Sequence, residues 1–224
     1  MKGDGVKGLE QTVLECSPGT TTARTTGESE EVLFVVAGHG ELGLGGERHA
    51  LEPDTGVNLG PGQEYELRNA TPDPLRMVSV QVRGPASPGD GGRSGDGRVV
   101  VRRLADQEAQ DATTDRSFRI VADPSTGLRS ATHFVGYVPT VRAPDHFHTY
   151  DEVIYVLEGE GAFHVDGTSR PIGAGSCIEL PARTVHCLEN TGQDTMRLVA
   201  VFRPPGSPAA AYYPDGTPAY PGTP

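Results

Sequence analysis

The sequence contains 224 residues, a length that accommodates one large domain or two small ones. Its formal net charge is −11 at pH 7, so the phosphates of a nucleic acid would be repelled and a nucleic-acid partner is excluded. No apolar run reaches the length of a membrane span and no basic, then apolar leader opens the chain, so we expect a cytoplasmic protein with no membrane partner.

Short runs of β-type residues fill the first third of the chain. Turn signals such as Gly45-Gly46 and Pro53-Asp54 separate them. No convincing helix lies between the runs, which predicts a small barrel or sandwich. The runs cover residues 11–15, 32–37, 41–44, 57–59, 65–68 and 76–82.

The middle and the end of the chain contain fewer clear elements. Residues 84–98 (GPASPGDGGRSGDGR) have the composition of a flexible linker. The polar stretch 105–115 is expected to form a short helix. Beyond residue 204 the chain is rich in Pro and Ala, and Tyr212, Tyr213 and Tyr220 predict that this tail packs across a surface. The remaining expected strands cover residues 99–104, 117–121 and 132–138.

The chain repeats itself at an offset of 121 residues. Residues 31–38 (EVLFVVAG) fall on residues 152–159 (EVIYVLEG), and Asn69 then falls on Asn190 without a gap. A shift that persists this far predicts two copies of one barrel. We expect an N-terminal barrel at residues 9–83, the linker at 84–98, a C-terminal barrel at 99–204 and the tail at 205–224.

The second copy contains a cluster of residues that suits a metal ion. His146 and His148 lie one residue apart in an expected extended segment, so their side chains point the same way. Glu152 follows four residues after His148, and His186 lies on a later strand beyond a Pro turn. Three imidazoles and a carboxylate directed into one interior favour a divalent transition metal.

These two stretches resemble the two sequence motifs of the cupin family. The first motif is His-x-His, three residues, Glu, six residues and Gly, and the second contains Gly, Pro, His and Asn. Thr140 and Arg183 stand where the motifs usually have Gly, which affects turn geometry and pocket shape and not the ligands. The matching residues are His146, His148, Glu152 and Gly159, followed by Gly175, Pro181, His186 and Asn190.

The resemblance implies an all-β fold of two tandem small β-barrels of the jelly-roll, or double-stranded β-helix, type. It also implies one divalent transition metal per chain, with Fe, Mn, Ni, Zn and Cu all open, and a small-molecule substrate. Such barrels expose sheet edges and flat apolar faces that another copy usually covers, so we expect a homodimer or larger homo-oligomer. The implied metal ligands are His146, His148, Glu152 and His186.

The first copy has lost the histidines. The offset places Thr25, Gly27 and Tyr65 at their positions, and only Glu152 keeps a counterpart, Glu31. A carboxylate and a phenol do not replace three imidazoles, so the N-terminal barrel is predicted to bind no metal. Its buried carboxylate then needs either a Tyr65–Glu31 hydrogen bond or an orientation toward solvent.

Further residues are candidates for the pocket around the metal. Ile154, Val156 and Leu188 share the inward parity of Glu152 and His186. The polar candidates each have a surface or structural alternative. They are His133, Tyr137, Arg142, Tyr150, Arg183 and Asn190.

Two features near the second motif leave alternatives open. Arg183 stands near the expected barrel mouth, where a guanidinium either pairs a substrate carboxylate or stays solvated. His164 lies on a strand, and the sequence does not decide which face of the sheet its side chain is on.

The three cysteines, Cys16, Cys177 and Cys187, form no CxxC pair, and we favour free structural thiols over a functional pair.

The leading functional interpretation is an enzyme that binds a small oxygenated organic molecule at the metal through adjacent oxygens. The resemblance implies either dioxygenase chemistry with Fe(II), which we favour, or non-redox isomerisation, decarboxylation or amide and ureide hydrolysis with Mn, Ni or Zn. A non-catalytic small-molecule-binding module is the alternative from another class. Such a sensor is usually fused to a DNA-binding domain, and nothing in the sequence resembles one. The sequence identifies no catalytic side chain.

Overall fold

The computed structural model describes residues 6–83, 100–112, 115–220 and 223. These residues form an all-β fold, as predicted, with two short 3₁₀ helices at Leu104–Asp106 and Pro124–Thr126. No helix in this part of the chain is long and apolar enough to cross a membrane. The expected linker at 84–98 lies outside the described residues.

The N-terminal barrel is built from two antiparallel sheets. Its strands are β1 (Leu9–Cys16), β2 (Thr21–Thr25), β3 (Glu30–Ala37), β4 (Gly40–Leu44), β5 (Glu47–Leu51), β6 (Thr55–Leu59), β7 (Glu64–Arg68), β8 (Leu75–Val82) and β9 (Val100–Arg103). The sheets have the orders β1-β8-β3-β6-β9 and β2-β7-β4-β5. Because side chains alternate along a strand, Leu33 and Val35 of β3 meet Leu75 and Met77 of β8 in one core.

The second half of the chain repeats this arrangement. Its strands are β10 (Ala109–Asp111), β11 (Ser117–Ala122), β12 (Thr132–Val138), β13 (Asp151–Glu158), β14 (Glu160–Val165), β15 (Thr168–Gly173), β16 (Cys177–Leu180), β17 (His186–Asn190) and β18 (Met196–Arg203). The sheet orders are β10-β11-β12-β18-β13-β16 and β15-β14-β17. Alternate residues again form the core, with Ile154 and Val156 of β13 packed among Leu198, Ala200 and Phe202 of β18.

The offset of 121 residues holds in the backbone. Strands β3 and β13 differ by 121 at both ends, and so do β8 and β18. Both central pairs also shift register at the same place, between Val35 and Ala37 in the first barrel and between Val156 and Glu158 in the second. The shared irregularity supports two copies of one fold better than the sequence match alone.

One glycine in each copy is required by the turn that follows this bulge. Gly38 has φ +79° and Gly159 has φ +89°, a region that L side chains rarely adopt. A Cβ at Gly38 would lie 2.2 Å from the carbonyl oxygen of Pro74, and one at Gly159 would lie 2.9 Å from Cα of Met196. Only glycine fits either site.

The compact units differ from the domain boundaries expected from sequence. Strand β9 pairs with β6, with Val101 opposite Val57, so the second barrel does not begin at residue 99. Residues 121–130 also belong with the first barrel, because the amides of Arg129 and Ser130 donate to the Glu30 carboxylate at 2.9 and 3.0 Å. Counting described residues, one unit comprises Gly8–Gln107 and Val121–Ser130, and the other comprises Met1–Lys7, Glu108–Ile120 and Ala131–Pro224.

The short helix expected at residues 105–115 is absent from the described part of that stretch. The chain instead makes the first 3₁₀ turn and then strand β10, whose Gln110 lies opposite Phe118 of β11. Pairing with a neighbouring strand overrides the weak helical preference of this polar segment.

Candidate metal centre

The loop before β13 and the start of β17 are joined through the backbone at the two histidine motifs. The amide of His146 donates to the carbonyl of His186 at 3.0 Å, and the amide of His186 donates back at 2.8 Å. This isolated bridge places the first and second motifs side by side. It therefore brings together residues that are forty positions apart in sequence.

The three predicted histidine ligands converge. His146, His148 and His186 each offer a ring nitrogen, and these nitrogens all lie within 4.8 Å of one another. Each Nδ1 lies at hydrogen-bond distance from a backbone carbonyl oxygen, which can only accept. The imidazoles therefore carry hydrogen on Nδ1, and the Nε2 lone pairs remain for a cation. The acceptors are Pro144 at 2.8 Å, Ala210 at 2.7 Å and Thr184 at 2.9 Å, for His146, His148 and His186 in that order.

Burial keeps these imidazoles neutral. Desolvation, together with the neighbouring His146, lowers the pKa of His148 to about 3. The pKa of His146 is lowered and that of His186 is well below its usual range, again mainly because of desolvation. A neutral imidazole is the form that binds a metal, so the donor set fits a divalent transition metal.

Glu152 lies in the same cavity, but its carboxylate is not part of the close group that the histidines form. The side chain is buried, and desolvation raises its pKa to about 8. Its position on β13 follows from the alternation that also directs Ile154 inward. A role for Glu152 as the fourth ligand stays a prediction.

A small cavity with a volume of about 80 Å³ lies beside the histidines. Its walls are mainly apolar, and they include Ile154 and Leu188, as the inward parity predicted. Val156 is fully buried in the core and is not brought to the cavity. The volume allows only a few non-hydrogen atoms beside a metal, so a ligand of this site is small.

Tyr150 is the polar candidate that the structure does bring into the cavity wall. Tyr137 also borders the cavity, but its ring lies on the other face of β12, 5.9 Å from the Arg197 guanidinium. The Tyr150 ring stacks on His148, with centroids 4.7 Å apart, and on Phe202 at 3.9 Å. Burial raises the pKa of the Tyr150 hydroxyl well above its usual value, so the phenol stays protonated. The stack holds the His148 ring in a fixed plane.

The remaining polar candidates lie outside the cavity. Arg183 is exposed at φ +65°, with its guanidinium 6.0 Å from the centroid of the Phe147 ring. Arg142 is also exposed and lies 3.6 Å from the Asp145 carboxylate. His164 lies 2.7 Å from the Glu189 carboxylate and does not line this cavity.

Two buried candidates have structural roles instead. Strand alternation places Phe134 and Gly136 on the cavity side of β12, and His133 is buried on the opposite side. Asn190 is buried at the end of β17, where its side-chain amide donates to the carbonyls of Val138 and Asp194 at 2.8 Å each. Asn190 therefore holds a turn, and it does not line the cavity.

Asn69 repeats this arrangement in the first barrel. Its amide donates to the carbonyls of Cys16 and Asp73 at 2.9 and 2.7 Å. The motif asparagine is thus retained in both copies because both copies need the turn, whether or not a metal is bound.

The three cysteines are free, as predicted. Cys16 and Cys187 are buried, and Cys177 is exposed. The Cys187 thiol donates to the carbonyl of Ala143 at 2.9 Å, which gives it a structural role.

The C-terminal tail forms part of the site, which the sequence did not indicate. Ala209 and Ala211 are buried in the cavity wall, and the carbonyl of Ala210 between them accepts from His148. Tyr212 fixes this segment, because its backbone pairs with Phe147 and its ring stacks on that of Phe147 with centroids 5.5 Å apart. The tail packs against the barrel, as its tyrosines predicted.

Besides the tail, Arg116 is a part of the site that was not identified from the sequence. It lies in the turn between β10 and β11, where its backbone carbonyl accepts from Ala112 at 2.8 Å. Arg116 lines the cavity. No periodicity marks a single turn residue, so only the folded structure reveals it.

The corresponding position in the first barrel contains an organic cation. Glu31 is fully buried, and the Tyr65 hydroxyl donates to it at 3.0 Å, one of the two arrangements expected from the sequence. Ser79 donates to the same carboxylate at 2.5 Å. Arg24 lies 3.2 Å from Glu31 and donates to the Tyr65 oxygen at 2.7 Å, so a guanidinium balances the carboxylate charge.

This network leads us to expect one metal ion per chain. Desalted protein that has been incubated with excess Mn(II) or Zn(II) should retain close to one ion, as measured by elemental analysis. Glu31→Gln should leave that ratio unchanged, because Arg24 already satisfies the carboxylate. His186→Ala should lower it to near zero. A ratio near two ions per chain would contradict the prediction.

Comparison with known proteins identifies the family. The cupin domain model matches this chain twice, at residues 12–81 and 133–202. The chain is 28% identical over 110 residues to an oxalate-binding protein of Thermotoga maritima, a match that covers 49% of this chain and 79% of that protein. It is 33% identical over 79 residues to auxin-binding protein 1 of Arabidopsis thaliana, covering 31% of this chain and only 40% of that protein.

Solved structures show the same fold. The structure of AerE from Microcystis aeruginosa aligns with a TM-score of 0.71 at 13% identity, and the alignment covers 88% of each chain. Oxalate decarboxylase of Bacillus subtilis aligns with a TM-score of 0.69 at 14% identity, covering 93% of this chain and 71% of that one. The two domain matches and the duplicated barrel show that the chain belongs to the cupin family and contains two tandem cupin domains.

Proposed function

We propose that the C-terminal cupin domain is a mononuclear metal-dependent enzyme that acts on a small oxygenated organic molecule. The observation that carries the proposal is that three buried imidazoles each donate from Nδ1 to a carbonyl and so present Nε2 to one point. His146, His148 and His186, with Glu152, would hold Fe, Mn, Ni, Zn or Cu. When bound, the metal would supply Lewis-acid chemistry or a position for dioxygen beside the substrate.

The chain's own residues determine what reaches the metal. Ile154, Leu188 and Ala209 give the cavity mainly apolar walls. Tyr150 holds the plane of His148 by stacking. A small cavity with apolar walls strengthens electrostatic interactions within it and favours a substrate of a few non-hydrogen atoms.

Dioxygenase-type chemistry is the reaction class that we favour, because neutral imidazoles and apolar walls suit a substrate and dioxygen together. A non-redox isomerase, lyase or hydrolase is the second candidate. It is favoured by the cation of Arg116 in the cavity wall, which would stabilise negative charge on a carboxylate or enolate. The relative from Thermotoga maritima is named for binding oxalate, so small acids are the first compounds to test.

Oxygen consumption separates these candidates. Protein purified without added metal is analysed for its metal content and then screened with small diketones, phenols and keto acids in an oxygen electrode. We expect turnover coupled to oxygen uptake. Turnover that continues without oxygen would select the non-redox class. Tight binding without any turnover would overturn the enzyme and leave a binding module.

The homodimer or larger homo-oligomer expected from the sequence stays a prediction.

A further inference from the structure

Arg116 introduces a permanent positive charge into the wall of the metal cavity. Burial lowers the pKa of its guanidinium, but an arginine remains protonated at any physiological pH. Arg116 and the three candidate ligands His146, His148 and His186 line the same cavity.

The guanidinium is poorly satisfied by the protein. Among the described residues, its Nε atom is shielded from solvent and has no hydrogen-bond partner. Within the described part of the chain its one hydrogen bond is a long one, from Nη2 to the carbonyl of Leu188 at 3.4 Å. A guanidinium has five N–H donors in a planar fork, so the described residues leave most of its donors for a ligand.

No carboxylate of the described residues forms an ion pair with Arg116. By contrast, the buried carboxylate of Glu31 in the first barrel lies 3.2 Å from the guanidinium of Arg24. Leaving a charge unpaired in an apolar wall costs free energy, so a ligand that pairs with it would bind with a net gain.

The charges of the cavity favour an anion. Among its lining residues, only Arg116 and Glu152 have side chains that carry a formal charge once the imidazoles are neutral. A divalent metal and Arg116 would together bring three positive charges, and Glu152 offsets at most one. A mono- or dicarboxylate would balance the remainder.

From these observations we infer that Arg116 anchors the carboxylate of the substrate, and that the substrate is a small organic acid. The inference rests on the proposed function, because the acid's other oxygen would be the one that reaches the metal. Arg116 thus takes the role that the sequence had suggested for Arg183, whose guanidinium lies outside the cavity. The cavity volume of about 80 Å³ limits the acid to a few carbon atoms.

Matched pairs of acid and neutral compounds test the anchor. Pyruvate is compared with hydroxyacetone, and glycolate with ethylene glycol, by calorimetry on metal-loaded and metal-free full-length protein. The variants are Arg116→Gln, Arg116→Lys and, as a matched control outside the cavity, Arg183→Gln. Metal content and the thermal unfolding transition are measured for each variant, so that a folding defect is recognised.

We expect the wild-type protein to prefer each acid over its neutral partner. Arg116→Gln should weaken binding of the acids about 10- to 100-fold, because a charge-assisted hydrogen bond is lost, and should not change binding of the neutral compounds. Arg116→Lys should lie between the two, since an ammonium keeps the charge without the planar fork. Arg183→Gln should behave as wild type, and all variants should keep their metal.

Two results would overturn the anchor: acids that bind Arg116→Gln as tightly as wild type, or a wild-type protein without preference for the acids. Failure of the proposed function looks different. A protein that retains no metal, or that binds acids without turning them over, would reject the enzyme. An Arg116-dependent preference for acids in that same metal-free protein would still support the anchor.

Discussion

Substituting His148 by alanine is expected to abolish metal retention. The ring is one of three whose ligating nitrogens lie within 4.8 Å of one another, and the other residues that line the cavity include no further imidazole. Changes to residues that merely orient a ligand cost about 10- to 100-fold in metal affinity, so loss of the ligand itself should exceed that range. Competition with a chelator measures the affinity directly.

The fold of this variant should survive, because the strands of the barrel and its apolar core do not depend on the metal. Far-UV circular dichroism should match wild type. Added metal should raise the melting temperature of wild type, since a ligand that binds only the native state stabilises it, and should leave that of His148→Ala unchanged. His164→Ala is the matched control, because His164 contacts Glu189 outside the cavity. A His148→Ala protein that holds metal as wild type does would refute the assigned site.

Removing the tail from Pro208 onward is expected to weaken metal binding by about 10- to 100-fold. The truncation deletes the Ala210 carbonyl that accepts from Nδ1 of His148 at 2.7 Å, so the proton is free to move to Nε2 and block the lone pair. It also deletes Ala209 and Ala211 from the cavity wall, which admits water. Gly206 is kept, because it exchanges two 3.1 Å hydrogen bonds with Thr132.

Two neighbouring tyrosines provide a milder version of this experiment. Tyr212→Ala removes the ring that stacks on Phe147 and should lower metal affinity by loosening the segment that holds Ala210. Tyr213→Ala changes an exposed ring and should have little effect. Wild-type metal affinity in the truncated protein would show that the tail covers the site without contributing to it.

Much of the fold is encoded in short-range patterns. The alternation of apolar residues in segments such as 31–38 and 152–159 predicts strands, and the offset of 121 predicts the duplication that appears again in the bulges and in Gly38 and Gly159. The spacing of His146, His148 and His186 likewise predicted a cluster that the structure forms. Strands and turns depend on near neighbours in sequence, so the local sequence contains that information, whereas the cluster and the duplication were predicted from two separated motifs and from the offset.

The first barrel shows how far such reasoning extends. Aligning Tyr65 with His186 and Glu31 with Glu152 predicted that the phenol and the carboxylate meet, and they do at 3.0 Å. Arg24 was not predicted, because its counterpart Asp145 has the opposite charge and no metal role. The alignment compares residue types at equivalent positions, and it does not show that the long Arg24 side chain reaches Glu31.

Three features of the molecule depended on tertiary structure, and two of them belong to the C-terminal site. The Ala210 carbonyl is sixty-two residues from His148 in sequence, and Arg116 is seventy-two residues from the Leu188 carbonyl that it contacts. Strand β9 joined the first barrel for the same kind of reason, through long-range pairing with β6. A backbone carbonyl exists at every position, and a turn arginine fits no periodicity, so no residue type or spacing marks these contacts. The strands can be predicted from local sequence, but the contacts of the Ala210 carbonyl, of Arg116 and of β9 form only when the chain folds around those strands.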